Sequence, residues 1–288
     1  MNAAAGEKDN DRLFCWEQVN RTNQAFRVSR VFAARDDADC LLPLYALFSI
    51  IEQICGRFSD EDLARSKLAW WRLECSPQKL VDNPHPVLRE LQRTGVSGRL
   101  DPTAITRLFD WAEYRLEARP LSDISDLMSL CVDFQQPQFE LEMSACGLTP
   151  RTVEASSGLL ARSGLLQLFR ESSIQPGQGA YWWIPLNLLA RHGLSRDDFV
   201  NNPGAAEITA LLTELLTEPG LWEQPSGKSY CHEAGCSVLR NYFAINGLYA
   251  KKINYLKGVT LDRYGAELGH IRVSDLFVAW KCARRLQA

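Results

Sequence analysis

The chain has 288 residues, 46% hydrophobic and 23% charged, which is the balance of an ordinary globular protein with enough apolar material for a sizeable core. Its 32 basic and 35 acidic residues nearly cancel to a net charge of −3, which excludes an overall basic field for nucleic acid. With 10% aromatics, a globally disordered chain is excluded as well.

Residues 1–11 (MNAAAGEKDND) are small and polar, lack the apolar stretch of a signal peptide, and predict a frayed, disordered tail. The longest uncharged apolar run, Cys40–Ile51, is 12 residues, against the ~20 that a spanning helix needs. This predicts a protein that is not integral to a membrane and leaves peripheral membrane contact open. Ser59-Asp60-Glu61-Asp62 opens a helix with a cap residue and an acid three later, followed by Leu63, Leu68, Trp70 and Trp71. Asp101-Pro102 sets a cap before a proline at the first helical position, and Ile105, Leu108, Phe109 and Ala112 follow at helical spacing. Thr149-Pro150 repeats the device for a helix running to about Phe169. That helix carries Ala155, Ser156, Ser157, Gly158, Ala161, Ser163 and Gly164, and each interior glycine costs ~1 kcal/mol relative to alanine. Close approach of a neighbouring helix, or room for a long apolar ligand, would offset that cost. Gly193-Leu194-Ser195 closes one helix and caps the next, with Asp198 three after the serine, and Glu207 to Leu216 is another helix.

Alternating runs of Val, Ile and Thr are nearly absent, and Tyr181–Ile184 is too short for a sheet. The expectation is an all-α fold in one domain spanning residues 12–288. Nine cysteines stand singly without a Cys-x-x-Cys, which predicts a reduced, cytoplasmic interior where cysteine acts as a small hydrophobe. The one close pair, Cys231 and Cys236 around His232 and Glu233, lacks the second ligand pair of a structural zinc.

Four segments in order resemble the squalene/phytoene synthase family. They are Phe26–Phe48, with Leu44-Tyr45-Ala46 leading toward the first acidic motif; Leu63–Arg72, ending in an aromatic pair plus arginine; Leu165–Phe199, with an aromatic-x-Pro turn and a Gly before an acidic helix start; and Tyr255–Arg285. The resemblance implies an all-α, isoprenoid-synthase-like helical bundle with a central cavity. It also implies two helices whose paired aspartates, four apart on one face, hold Mg²⁺ that binds the substrate diphosphate while two prenyl diphosphates are joined head-to-head.

This chain departs from that pattern at both motifs. Ungapped alignment from Tyr45 places Glu52 at the first acidic position and Gly56 four later; the second motif becomes Arg170-Glu171, with Gln175 four later. A closer branch is the mitochondrial complex I assembly factors of the same fold, which resemble Gly193-Leu194-Ser195-Arg196-Asp197-Asp198-Phe199 and also lose the aspartates. The resemblance therefore implies a degenerate, non-catalytic member that binds a prenyl or lipid-like ligand or acts as an assembly or interaction factor. The alternative is an active Mg²⁺-dependent prenyltransferase using Glu52 and Glu171, and a structural helical protein with no ligand is the third reading.

The candidate ligand-binding residues are Glu52, Arg57, Arg170 and Glu171. Tyr45, Phe48, Gly56, Gly164 and Gln167 are the candidates for lining the cavity. Each motif has one acid and a nearby arginine, a poor metal cage but a usable anion clamp. The plainer expectation for Arg57, Lys67, Arg72 and Arg170 is ordinary helix-surface charge, and for Glu52 and Glu171 solvated surface glutamates. The partners expected are a prenyl diphosphate or other lipid-like molecule and a protein, with no nucleic acid.

Overall fold

The computed structural model describes residues 3–57, 60–76, 79, 83–148, 153–174, 180–218, 237–270 and 272–284. Among these residues every regular element is helical and no strand occurs, as the cap and periodicity pattern predicts. The chain forms two compact units. The first contains residues 1–117 and 136–151, the second 118–135 and 152–288.

The first unit is built on α1 (Ala3–Thr22), α2 (Gln24–Ser29) and α3 (Arg35–Arg57). The first helix begins at Ala3, so residues 3–11 are helical rather than the expected tail. At Asp11, which is buried, the two carboxylate oxygens take a fork of hydrogen bonds from Arg89, at 2.8 and 2.5 Å. The third helix carries the core residues Leu41, Leu42, Leu44, Ala46, Leu47, Ile51 and Ile54. It is also the one described helix long and apolar enough to cross a membrane, over Arg35–Gly56, but 67% of that window is buried inside the fold, as in a core helix. A buried hydrogen bond of 2.6 Å from Thr22 Oγ1 to Ser49 Oγ fixes it against α1.

Local chemistry sets the helix ends. The next helix, α4 (Glu61–Glu74), is capped by Asp60, whose side chain accepts from Leu63 N at 3.0 Å. The following α5 (Pro86–Arg93) starts with proline after His85, whose Nδ1 accepts from Val87 N at 3.2 Å. Asp101 accepts from Thr103 N at 2.9 Å and opens α6 (Pro102–Glu117) as expected. Arg72 bridges α4 to α6 through Asp110 at 2.7 Å and Glu113 at 3.1 Å. Of its two adjacent tryptophans, Trp71 is buried whereas Trp70 is substantially exposed.

One helix, α7 (Ile124–Ala145), gives its first part to the second unit and its remainder from Gln136 to the first. The second unit adds α8 (Val153–Ile174), α9 (Leu186–His192), α10 (Asp198–Asn201), α11 (Ala206–Thr217), α12 (Ser237–Leu256), α13 (Tyr264–Gly269) and α14 (Val273–Arg284). The helix stop and start at Gly193 is as expected. Gly193 sits at φ +64°, where a side chain would be strained, and Asp198 accepts from Ser195 N and Oγ at 2.7 Å each. Between α13 and α14, buried Lys252 donates to the carbonyls of Glu267 (2.7 Å) and His270, while Asp275 accepts from Arg272 N at 2.8 Å and lies 3.4 Å from Lys252. Burial raises the Asp275 pKa, but the Arg272 N–H, Lys252 and Lys251 outweigh it and hold the carboxyl below its ordinary value.

Seven cysteines are free in the described residues, with Cys15, Cys75 and Cys131 buried. Burial pushes the Cys75 thiol up to about 12, so it is inert at neutral pH. Cys231, His232, Glu233 and Cys236 lie outside the described residues.

Candidate functional site

The candidate residues divide between the two units. Tyr45, Phe48, Glu52, Gly56 and Arg57 belong to the first, and Gly164, Gln167, Arg170 and Glu171 to the second.

In the first unit all five lie on α3. Tyr45 is buried and stacks on Phe26 with ring centroids 4.2 Å apart, and Phe48 packs beside it at 5.7 Å. Glu52 is half-buried, Gly56 is exposed, and the side chain of Arg57 lies outside the described residues. Tyr45 also bonds to Glu142 on α7, a residue that the sequence does not single out. Glu142 is buried, and its Oε2 has no hydrogen-bond partner in the described structure. Burial raises its pKa well above the ordinary carboxylate value, and the bond with Tyr45 opposes that only in part.

In the second unit the four residues lie on α8, at and before its end. Arg170 is 3% exposed and Glu171 8%, which corrects the expectation of surface charge for both. The cause is the last turn of α8, which is tied down by the turn that follows. Trp183 Nε1 donates to Ser172 Oγ at 2.8 Å, Ser172 Oγ donates to Ala180 O at 2.6 Å, and Phe169 packs edge-on against Trp183 at 4.9 Å. The run Tyr181–Ile184 is therefore a buried clamp. Lys67 and Arg72 are half-buried.

Three polar side chains form a row beside that turn. Gln135 Nε2 donates to Gln167 Oε1 at 2.7 Å, and Gln167 Nε2 donates to Glu171 Oε1 at 2.8 Å. Arg170 lies 3.9 Å from Glu171, with its guanidinium 5.9 Å from the centre of the Tyr249 ring. Gly164 does not open space for a ligand. A Cβ there would meet the Cys131 carbonyl oxygen at 2.6 Å and its Cα at 2.9 Å, so close backbone packing explains this glycine. Gly158 is exposed with nothing within 4 Å, and no packing reason accounts for it.

The donor chemistry does not fit the Mg²⁺ cluster that the resemblance implies. Mg²⁺ takes near-octahedral oxygen ligands, usually with a carboxylate or two for each ion. Aligned without gaps to the family pattern, each motif has a single carboxylate, with Gly56 and Gln175 at the partner positions. Among the described residues no group of three or more His, Cys, Asp or Glu is placed to hold a metal ion.

Comparison with known proteins agrees with the fold. No curated protein matches the sequence. The crystal structure of a dehydrosqualene synthase in complex with ligand is similar over 98% of this chain and 97% of that one, with a TM-score of 0.70. At 13% identity that likeness shows the fold. The squalene/phytoene synthase profile matches residues 19–218, a stretch that includes α3, the Ser172 clamp and the Gly193 helix stop. With most of its length matched in this way, the chain belongs to the squalene/phytoene synthase family.

Proposed function

We propose that this chain is a non-coupling member of its family that binds a prenyl diphosphate or similar lipid-like anion. In this reading Arg170, rather than a carboxylate-held metal cluster, supplies the charge that meets the phosphate oxygens. The observation that carries it is the engagement of Glu171. Its Oε1 already accepts from Gln167 at 2.8 Å, a guanidinium lies 3.9 Å away, and the position four residues later is the neutral Gln175. One engaged carboxylate beside an arginine is a poor cage for Mg²⁺. A guanidinium suits phosphate without metal, because its planar fork matches two oxygens. Arg170 is nearly fully buried, so such a bond would form away from bulk water, where it is strongest.

Calorimetric titration of farnesyl diphosphate with and without Mg²⁺ tests this. Binding is expected to be independent of the metal. A charge-assisted hydrogen bond contributes about 1.5–3 kcal/mol, so Arg170→Ala weakens binding by about ten-fold or more. Glu171→Gln leaves binding equal or slightly tighter, since it removes a like charge. A thermal melt of each variant controls for folding. Binding that requires Mg²⁺ and is abolished by Glu171→Gln would overturn the proposal in favour of an active Mg²⁺-dependent transferase. Absence of any binding would also overturn it and leave an assembly or interaction role.

A further inference from the structure

The helix α14 turns an apolar face to solvent. Val273 is 84% exposed, Phe277 64%, Leu276 43% and Trp280 40%. These positions are i, i+3, i+4 and i+7, which places them in one stripe roughly 100° wide. The opposite side carries the packing: Asp275, Ala279 and Ala283 are buried, and Cys282 meets α12 at Gly247, where even a Cβ would clash with its sulfur. The helix is thus held firmly by one face while its larger apolar side chains face outward. The fold has already used Ala and Cys for packing, so the outward aromatics are not required by the core.

The charge beside the stripe is of one sign. Lys281 and Arg284 are exposed, and the Arg284 guanidinium sits 4.9 Å over the Trp280 ring. Among the described residues neither has a carboxylate partner. Among the described residues the acids of α13 and α14 are engaged. Asp275 is buried with Lys251 at 3.2 Å and Lys252 at 3.4 Å, and Glu267 is paired with Arg272 at 2.7 Å. An outward Trp and Phe with aliphatic neighbours, bordered by exposed cations, matches the interfacial zone of an anionic bilayer. The rings enter the headgroup and acyl boundary, and the long cationic side chains reach back to lipid phosphates.

We propose that α14 is an interfacial docking helix that seats this protein on an anionic lipid surface through Val273, Leu276, Phe277 and Trp280, with Lys281 and Arg284 as its cationic border. This goes beyond the ligand reading and does not depend on Arg170 or Glu171. A soluble protein partner would leave the one-signed border to chance, whereas lipid phosphates complement it.

The test is sedimentation of the full chain with vesicles of phosphatidylcholine alone and of phosphatidylcholine with one-third phosphatidylglycerol, at low and high salt. The wild type is expected to bind the anionic vesicles about ten-fold or more tightly than the neutral ones, and to lose that preference at high salt. The Phe277→Ser/Trp280→Ser variant lowers partitioning by about ten-fold or more. Lys281→Glu/Arg284→Glu removes the anionic preference. Val273→Asp alters the most exposed position, touches nothing in the core, and should weaken binding with an unchanged melting curve. Wild-type partitioning equal to that of these variants would overturn the proposal. So would a concentration-dependent dimer that Phe277→Ser/Trp280→Ser dissolves, which would assign the face to a second copy of the chain.

Discussion

Gly164→Val is expected to lower the stability of the protein by about 1–3 kcal/mol, while Gly158→Ala on the same helix raises it by ~1 kcal/mol. The two glycines share a helix and differ in what surrounds them. A Cβ at Gly164 meets Cys131 backbone atoms at 2.6 and 2.9 Å, and backbone inside two packed helices cannot swing aside as a side chain can. The larger residue therefore forces α7 and α8 apart, with loss of contacts along both. At Gly158 nothing lies within 4 Å, so alanine adds no clash and removes only the entropy that glycine brings to the unfolded chain. Urea unfolding of the two variants checks the pair. If Gly164→Val left the midpoint unchanged, the close approach of the two helices would be wrong, and room for a ligand would become the better reason for the glycine.

The second large effect concerns pH. Glu142 has a folded-state pKa raised well above its ordinary 4.5, with burial as the main cause and the bond with Tyr45 opposing it. A carboxyl with a raised folded pKa keeps its proton in the fold after the unfolded chain has lost its own. Its contribution is fully present below the unfolded pKa and is lost as pH rises toward the folded one. Wild-type stability is thus expected to fall, relative to Glu142→Gln, by up to ~1.4 kcal/mol for each pH unit above about pH 5. Below that the two curves run together, because both side chains are then neutral. Denaturant unfolding of the two proteins from pH 4 to pH 8 gives the comparison. Parallel curves across that range would mean that Glu142 is ionised in the fold, with a cationic partner or water that the burial argument omits.

What could be read from sequence was local, and what could not was tertiary. The caps at Asp60 and Asp101 and the Gly193 stop with its Ser195–Asp198 bond lie within a few residues of their partners, so the order of residue types is enough to find them. Ser59, the cap expected with Asp62 as its acid three later, lies outside the described residues and the neighbouring Asp60 holds the cap; Thr149-Pro150 and the loop from Gln175 to Gly179 also lie outside them. The small residues of α8 signalled a cost without saying what offset it, because Cys131 is brought to Gly164 only by folding. Gln135 was invisible for the same reason, being 32 residues from the Gln167 that it bonds. Glu142 sits among Gln138, Glu140 and other polar residues on α7, a pattern that reads as a solvated face until burial is known. Arg170 and Glu171 were found through the motif order, but their burial depends on Trp183 and Ser172, and no local rule predicts that clamp. The outward face of α14 is not legible in the sequence, because only exposure separates Val273, Leu276, Phe277 and Trp280 from the residues of its buried face.

On the proposed reading the chain keeps the fold of its family and lacks the metal-held coupling chemistry. Incubation of the purified protein with farnesyl or geranylgeranyl diphosphate and Mg²⁺, followed by extraction and mass analysis of the lipid products, tests it most directly. The expected result is intact diphosphate and no product carrying two joined prenyl chains, since on the proposed reading Gly56 and Gln175 stand where each motif needs a second carboxylate. A coupled product formed by the wild type and lost in Glu171→Gln would contradict it, and would show that Glu52 and Glu171 recruit enough other ligands to hold the metal after all.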